Sequence, residues 1–263
     1  MRTHRIRGVY LRHLFETTRT PAELFDLVYW ACFDLLAWGL LATFLRRSGT
    51  ELPIPIAYLI GAAILWNVLY RMQLHVTVTF LKEGWASNMI SLLSSPLTPI
   101  EYIIAVVLWA MTLIGVAVGI MTIVAYGLFS FGILEMGPAL IPFIVLLLMF
   151  ALAMALVVIG LVLRIGTGAN ILAWGLTGIM QPLCGVFFPI AILPGWAQSV
   201  AFLLPPSHIF EGMRAVLSDG SISWGNLGIT LLLDIVYLLL AARFVRRMFA
   251  TFRARGFITR YAS

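Results

Sequence analysis

Long apolar runs dominate the chain, separated by short stretches in which charge and proline collect. A bilayer core about 30 Å thick requires around 20 mostly apolar residues per helical span. Six segments meet that length: roughly 24–45, 55–80, 101–130, 139–163, 170–190 and 223–243. The third exceeds one span and holds Gly115, Gly119 and Gly127, so a tilt or a break is expected there. The pattern predicts an all-α membrane protein with six transmembrane helices. Residues 1–263 then form a single transmembrane domain: an interface helix within 1–23, a six-span bundle over 24–243 and a basic tail over 244–263.

Three shorter patterns add detail. In residues 3–20, Ile6, Tyr10 and Leu14 share one helical stripe, with Arg5, Arg12, Glu16 and Arg19 on the other. Such an amphipathic helix is expected to lie along the cytoplasmic membrane surface until Pro21 turns the chain into the first span. A disordered basic tail is the alternative. In 82–95, Trp85, Met89, Leu92 and Leu93 project to one face, opposite Glu83, Ser87, Ser91 and Ser94, with Asn88 at the border. This second amphipathic helix, ended by Pro96, either fits a partner's groove or only anchors the loop. Residues 186–222 are too apolar for a solvated loop and too broken, by Pro189, Pro194, Pro205 and Pro206, for a span. Irregular backbone at membrane depth survives only where protein or a cavity shelters it, so a pair of short external re-entrant helices is expected.

Composition agrees with the pattern. Hydrophobic residues make up 62% of the chain and charged ones 11%, with a mean hydropathy of +1.02. That leaves too little polar surface to cover a water-soluble globule. The net charge of +6 comes almost wholly from arginine, Lys82 being the one lysine. These arginines flank apolar runs, which fits anionic headgroups and gives no reason to invoke nucleic acid. They also orient the chain. Arg2, Arg5, Arg7, Arg12 and Arg19 precede the first span. Arg243, Arg246, Arg247, Arg253, Arg255 and Arg260 follow or bound the last, and Lys82 and Arg164 share their side. By the positive-inside rule both termini are cytoplasmic, which requires an even number of spans. The first span, with two aspartates and more than 20 residues, is expected to be retained and not cleaved as a signal. Cys32 and Cys184 lie in apolar runs without metal-type spacing and read as small buried hydrophobes.

Ionisable groups inside a membrane cost a few kcal/mol or more, so each needs a reason. Asp34, Arg71 and Asp234 fall at nearly the same depth when their spans are counted from the cytoplasmic side at about 1.5 Å per residue. Arg71 is therefore expected to pair with Asp34, Asp234 or both, either as a static clamp or as a gating or substrate-contacting element. Glu211 and Arg214, spaced i, i+3, are expected to pair locally. Trp66, Trp109 and Trp174 lie within or at the edges of spans, and Trp196 and Trp224 read as interfacial anchors.

Two stretches carry a resemblance. LKEGWASNMISLLSSPLTPIEYI (81–103) resembles the Ser-Pro-Leu-x-Pro-x-Glu region that follows the coupling helix of ABC-2-type permeases. GVFFPIAILPGWAQSVAFLLPPSHIFEGMRAVL (185–217) resembles that family's late signature. With the six-span layout the resemblance extends over nearly the whole chain. It implies a type V ABC exporter fold and a permease in the plasma (inner) membrane of a bacterium. It further implies two permeases, here a homodimer, bound to two nucleotide-binding ATPase subunits that carry ATP and magnesium. Lys82, Glu83, Trp85, Ser87, Asn88, Met89, Ser91 and Leu92 would couple to the ATPase. Phe187, Phe188, Pro189, Pro194, Trp196, Glu211 and Arg214 would belong to the external gate.

The chain cannot be its own P-loop ATPase, because its one lysine is followed by Glu83 and not by the Ser or Thr of Gly-x-x-x-x-Gly-Lys-Ser/Thr. No cofactor is expected on this chain, and no metal. An intramembrane enzyme is disfavoured: His4, His13, His75 and His208 are scattered, and no nucleophile motif accompanies them. A proton-coupled secondary transporter using Asp34 and Asp234 is the alternative, although the broken segment occurs once and lacks the counterpart that inverted repeats would supply. An amphiphile, a drug, a lipid or a lipid-linked glycan all suit the sequence as substrate.

Overall fold

Nine α-helices form among the described residues, 3–47, 55–85, 97–165 and 171–254, of a computed structural model of the chain. They are α1 (Thr3–Thr18), α2 (Pro21–Arg47), α3 (Ile56–Trp85), α4 (Pro99–Phe129), α5 (Leu140–Ile165), α6 (Leu172–Leu183), α7 (Gly195–Leu203), α8 (Pro205–Asp219) and α9 (Trp224–Ala254). No strand occurs among the described residues. Local chemistry sets the helix ends. Thr98 accepts from the Glu101 N–H while the Glu101 carboxylate accepts from the Thr98 N–H, a reciprocal cap that starts α4 at Pro99. The short turn Ile133–Ala139 ends at Gly137 (φ 56°) and Pro138, which break the chain before α5.

Helices α3 and α5 form the centre. Apolar almost all round, α5 buries Phe143, Leu147, Phe150, Ala151 and Val158, as a helix enclosed by others should. On one side lies α9 and on another α3, which is itself covered by α2, α4, α6 and α8. The α5–α9 seam is close because Gly160 has no side chain: a Cβ there would stand 2.5 Å from the Phe244 ring. The outer faces of α2 and α9 carry exposed Phe25, Phe44, Leu232 and Leu239, a surface suited to hydrocarbon.

Among the described residues, four helical stretches are long and apolar enough to cross a membrane: Pro21–Phe44, Ile100–Phe129, Ile133–Ile165 and Trp224–Thr251. The six segments expected from hydropathy therefore divide. At 30 residues α3 is long enough, but Asn67, Arg71, Gln73 and His75 make its middle polar. The fifth segment was expected over 170–190. Its helix α6 has 12 residues and ends at Leu183, where Pro182 and the left-handed Gly185 (φ 60°) turn the chain.

Two helices run past the boundaries expected for their spans. Helix α9 continues through Arg246 and Arg247 to Ala254. Residues 82–85 form the last turn of α3, and the rest of the amphipathic helix expected over 82–95 lies outside the described residues. At the N-terminus, the predicted helix forms as α1, and Pro21 opens α2 after a two-residue turn.

Gly160→Ala is expected to lower the thermal midpoint of the purified protein, with overpacking costing about 1–3 kcal/mol. Gly228→Ala, whose added Cβ meets nothing within 4 Å, leaves the midpoint unchanged or raises it. Equal midpoints for the two variants would refute the close α5–α9 seam.

Candidate functional site

Three polar constructions stand out in the apolar bundle. The first joins the N-terminal helices to the end of α3. From α1, Arg12 donates to Glu83, and from α3, Lys82 donates to Glu23 of α2. The second Glu23 oxygen accepts from the Thr17 hydroxyl at 3.0 Å. Helix α1 is held on α4 as well: Arg5 lies 3.6 Å from Glu101, Tyr10 packs edge-on against Trp109, and the Tyr10 and Thr112 hydroxyls are 3.1 Å apart. His13, on the buried side of α1, has its Nδ1 3.7 Å from Glu16. Burial, and after it the Arg12 charge, pushes the His13 pKa down, which keeps the ring neutral at pH 7. A cavity of about 360 Å³ lies among these groups, with Trp109, Leu113 and Trp174 on its apolar side.

This region holds part of the expected coupling set. Lys82 and Glu83 are engaged with α2 and α1, and Trp85 ends α3. Ser87, Asn88, Met89, Ser91 and Leu92 lie outside the described residues.

The second construction is buried between α2 and α3. Asn67 donates to Asp34 at 3.3 Å, and its carbonyl oxygen accepts from Arg71 Nε at 3.2 Å. The Arg71 guanidinium also donates to the Leu27 carbonyl at 2.8 Å. A carbonyl has two lone pairs, so Leu27 can take this bond in addition to its helical one. The expected Arg71–Asp34 pair is thus a relay through an amide and not a direct contact. Asp234 does not join it. It sits on α9, wholly buried, and neither carboxylate oxygen has a hydrogen-bond partner. Matched depth was readable from the sequence, but depth does not fix which helices are neighbours, and α9 packs on α5 and α8.

The third construction closes the opposite end, where the start of α3 meets α8: a Cβ on Gly61 would approach Met136 and Met213. Glu211 and Arg214 of α8 form the expected local pair at 2.9 Å. Both also hold the turn after α6. Glu211 accepts from the Ile190 N–H at 2.9 Å, and Arg214 donates to the Gly185 carbonyl at 2.9 Å. Phe187 stacks on Trp38 with ring centroids 3.9 Å apart. Phe188 and Pro189 complete the turn, Pro194 precedes α7, and Trp196 is exposed on it. Among the described residues no three metal-binding side chains converge.

The sequence placed Arg12 only on the polar stripe of α1 and His13 only among four scattered histidines, and it did not single out Asn67 or Glu23. Asn67 had a signal, since it stands four residues before Arg71 on the same helical face. Arg12 and Glu23 had none, because their partners are 71 and 59 residues away.

Arg71→Ala is expected to destabilise the protein by about 1–3 kcal/mol, as removal of a buried donor that leaves its acceptors unpaired does. Asp234→Asn, which removes a charge without a partner, leaves stability unchanged or raises it. Thermal denaturation of both variants in detergent is the check. Loss of folding in Asp234→Asn would show that the carboxylate has a partner after all.

Residues 17–218 match the ABC-2 type transporter family, a range that holds the second and third constructions and, of the first, the residues of α2, α3 and α4 but not those of α1 up to Glu16. No curated protein matches the chain. A match over most of the length, on an all-helical structure with several membrane-length apolar helices, is decisive: the chain is a membrane protein and belongs to the ABC-2 type transporter family.

Proposed function

We propose that this chain is the membrane-spanning subunit of an ATP-driven exporter that moves an amphiphilic, lipid-linked or glycan-type substrate, or a drug, out of the cytoplasm or inner leaflet. Family membership supports a permease, and the sequence has no P-loop of its own, so ATP and magnesium are held by a separate ATPase subunit. In this reading two permeases and two ATPases assemble in a bacterial inner membrane, with both termini cytoplasmic. The permease contributes six spans, counting the enclosed α3 and the segment around α6. Chemistry is done elsewhere, and this subunit is not an enzyme.

The observation that carries the proposal is the pair of crossed ion bridges at the end of α3. The segment that follows, through Asn88 and Leu92, is the one assigned to the ATPase contact. A push on it reaches α3 directly, α1 through Arg12–Glu83 and α2 through Lys82–Glu23. Three helices would move as one body, which is what converting ATPase closure into rearrangement of the bundle requires. At the other end, the turn held by Glu211 and Arg214 would serve as the external gate.

A proton-coupled carrier is the second reading, and wholly buried Asp234 is the observation in its favour. One experiment separates them. The permease is expected to co-purify in lipid with its cognate ATPase, and replacing Asn88 by Ala is expected to reduce ATP turnover at least tenfold in the intact complex. If no ATPase associates and a pH gradient drives transport that Asp234→Asn abolishes, the carrier reading replaces the exporter.

A further inference from the structure

We propose that α3 enters the membrane as a hairpin with α2, joined to it by the Asp34–Asn67–Arg71 relay, and not as a span that inserts by its own hydropathy. This rests on the reading of α3 as a span. Helix α3 has 30 residues, yet among the described residues it is not one of the four stretches apolar enough to cross a membrane. Arg71 stands near its middle, with Asn67, Gln73 and His75 about a turn away or nearer. During membrane insertion a central arginine offsets about six leucines. In the finished bundle α4, α5, α6 and α8 cover this stretch. The chain is made from its N-terminus, however, and those helices do not yet exist when α3 emerges. Only α1 and α2 do.

The polar partners of Asn67 and Arg71 come from that early part of the chain. Arg71 donates to Asn67 within α3 and to the Leu27 carbonyl of α2, and Asn67 donates to Asp34 of α2. The carboxylates whose charge acts on Arg71 are Asp26 and Asp34, both on α2. Gln73 donates to Thr77, one turn on in α3 itself. The two atoms left over, Gln73 Oε1 and His75 Nε2, have no partner even after the later helices have packed. What those helices bring is apolar cover: Leu147 and Phe150 of α5 and Phe210 of α8 join Leu65, Leu69 and Met72 in one core. A hairpin of α2 and α3 therefore already holds the polar contacts of this stretch. Alone, α3 would carry an arginine and three other polar side chains into hydrocarbon. Eight residues separate the two helices in sequence, so both can reach the bilayer together. Asp34 then serves assembly, as the anchor on α2 that the polar middle of α3 requires.

Topology is followed as the full chain is synthesised into membrane vesicles in a cell-free system, where misplaced chains are not degraded. Cys32 and Cys184 are replaced by alanine. A single cysteine is placed before α3 (Thr50→Cys) or after it (Ser94→Cys) and labelled with a membrane-impermeant maleimide. The two reporters lie on opposite sides if α3 has inserted and on the same side if it has not, whichever way the chain is oriented. Asp34→Leu leaves α3 unaltered and makes α2 more apolar. It is expected to raise the same-side fraction about fivefold, the effect of losing one interhelical polar contact in lipid. Adding Arg71→Leu to that chain is expected to restore opposite sides, because α3 then inserts unaided. Asp234→Leu, which alters a buried carboxylate of a helix made later, is expected to leave the fraction at the parent's value. An unchanged fraction in Asp34→Leu, no recovery with Arg71→Leu, or an equal rise in Asp234→Leu overturns the proposal. Reporters on one side in the parent chain overturn it together with the reading of α3 as a span. No ATPase or substrate enters the measurement, so its outcome is separate from that of the exporter reading.

Discussion

Helix α3 cannot face lipid along its middle, and the arrangement of the bundle follows from that constraint. Arg71, Asn67 and Gln73 are each no more than 4% exposed. A guanidinium or an amide left in hydrocarbon loses its hydrogen bonds to water and gains nothing in return. Helices α2, α4, α5, α6 and α8 therefore wall α3 in. Most of the polar groups are then paired with one another: Asp34 through Asn67, Arg71 through Asn67 and the Leu27 carbonyl, the Gln73 amide nitrogen through Thr77, while Gln73 Oε1 and His75 Nε2 stay without a partner. What remains for lipid is the largely apolar outside of α2, α4, α5 and α9, with exposed charge toward helix ends at Asp26, Arg243, Arg246 and Arg247.

The same logic explains the two ends. At one, charges that would otherwise be stranded near the membrane boundary are joined across three helices. At the other, Glu211 and Arg214 neutralise each other and satisfy backbone groups exposed where α6 breaks off. Half-exposed ion pairs of this kind add little net stability, because solvent screening and desolvation offset most of the attraction. Their contribution is geometric: they fix which helix turns lie side by side.

Much of this was legible in the sequence, and the exceptions have physical reasons. Apolar length gave the membrane class, and the amphipathic stripe of Ile6, Tyr10 and Leu14 gave α1. The four prolines between 189 and 206 marked the short helices α7 and α8, and the i, i+3 spacing gave the Glu211–Arg214 pair. Hydropathy treated α3 and α6 as ordinary spans, because a window average cannot distinguish an enclosed polar helix from a lipid-facing one. It also stopped the last helix at Arg243, since charge ends a span but does not end a helix. The Arg12–Glu83 and Lys82–Glu23 bridges were invisible, because nothing local in either segment encodes a partner so distant along the chain. Asp234 was placed with Arg71 on depth alone, but α9 packs against α5 and α8, away from the α2–α3 seam.

The turn after α6 is held by its backbone. Glu211 grips the amide of Ile190 and Arg214 the carbonyl of Gly185, groups that every non-proline residue possesses. Gly185 is constrained by its positive φ and by the Phe188 oxygen 2.9 Å from where a Cβ would stand, Val186 by its burial in the core and Phe187 by its stack on Trp38. The side chains of Phe188 and Ile190 are not what these two bonds hold. A scaffold of this kind lets natural variation or design rewrite the outward character of the turn, bulky or small, aromatic or aliphatic, without first having to reinvent the fold that presents it.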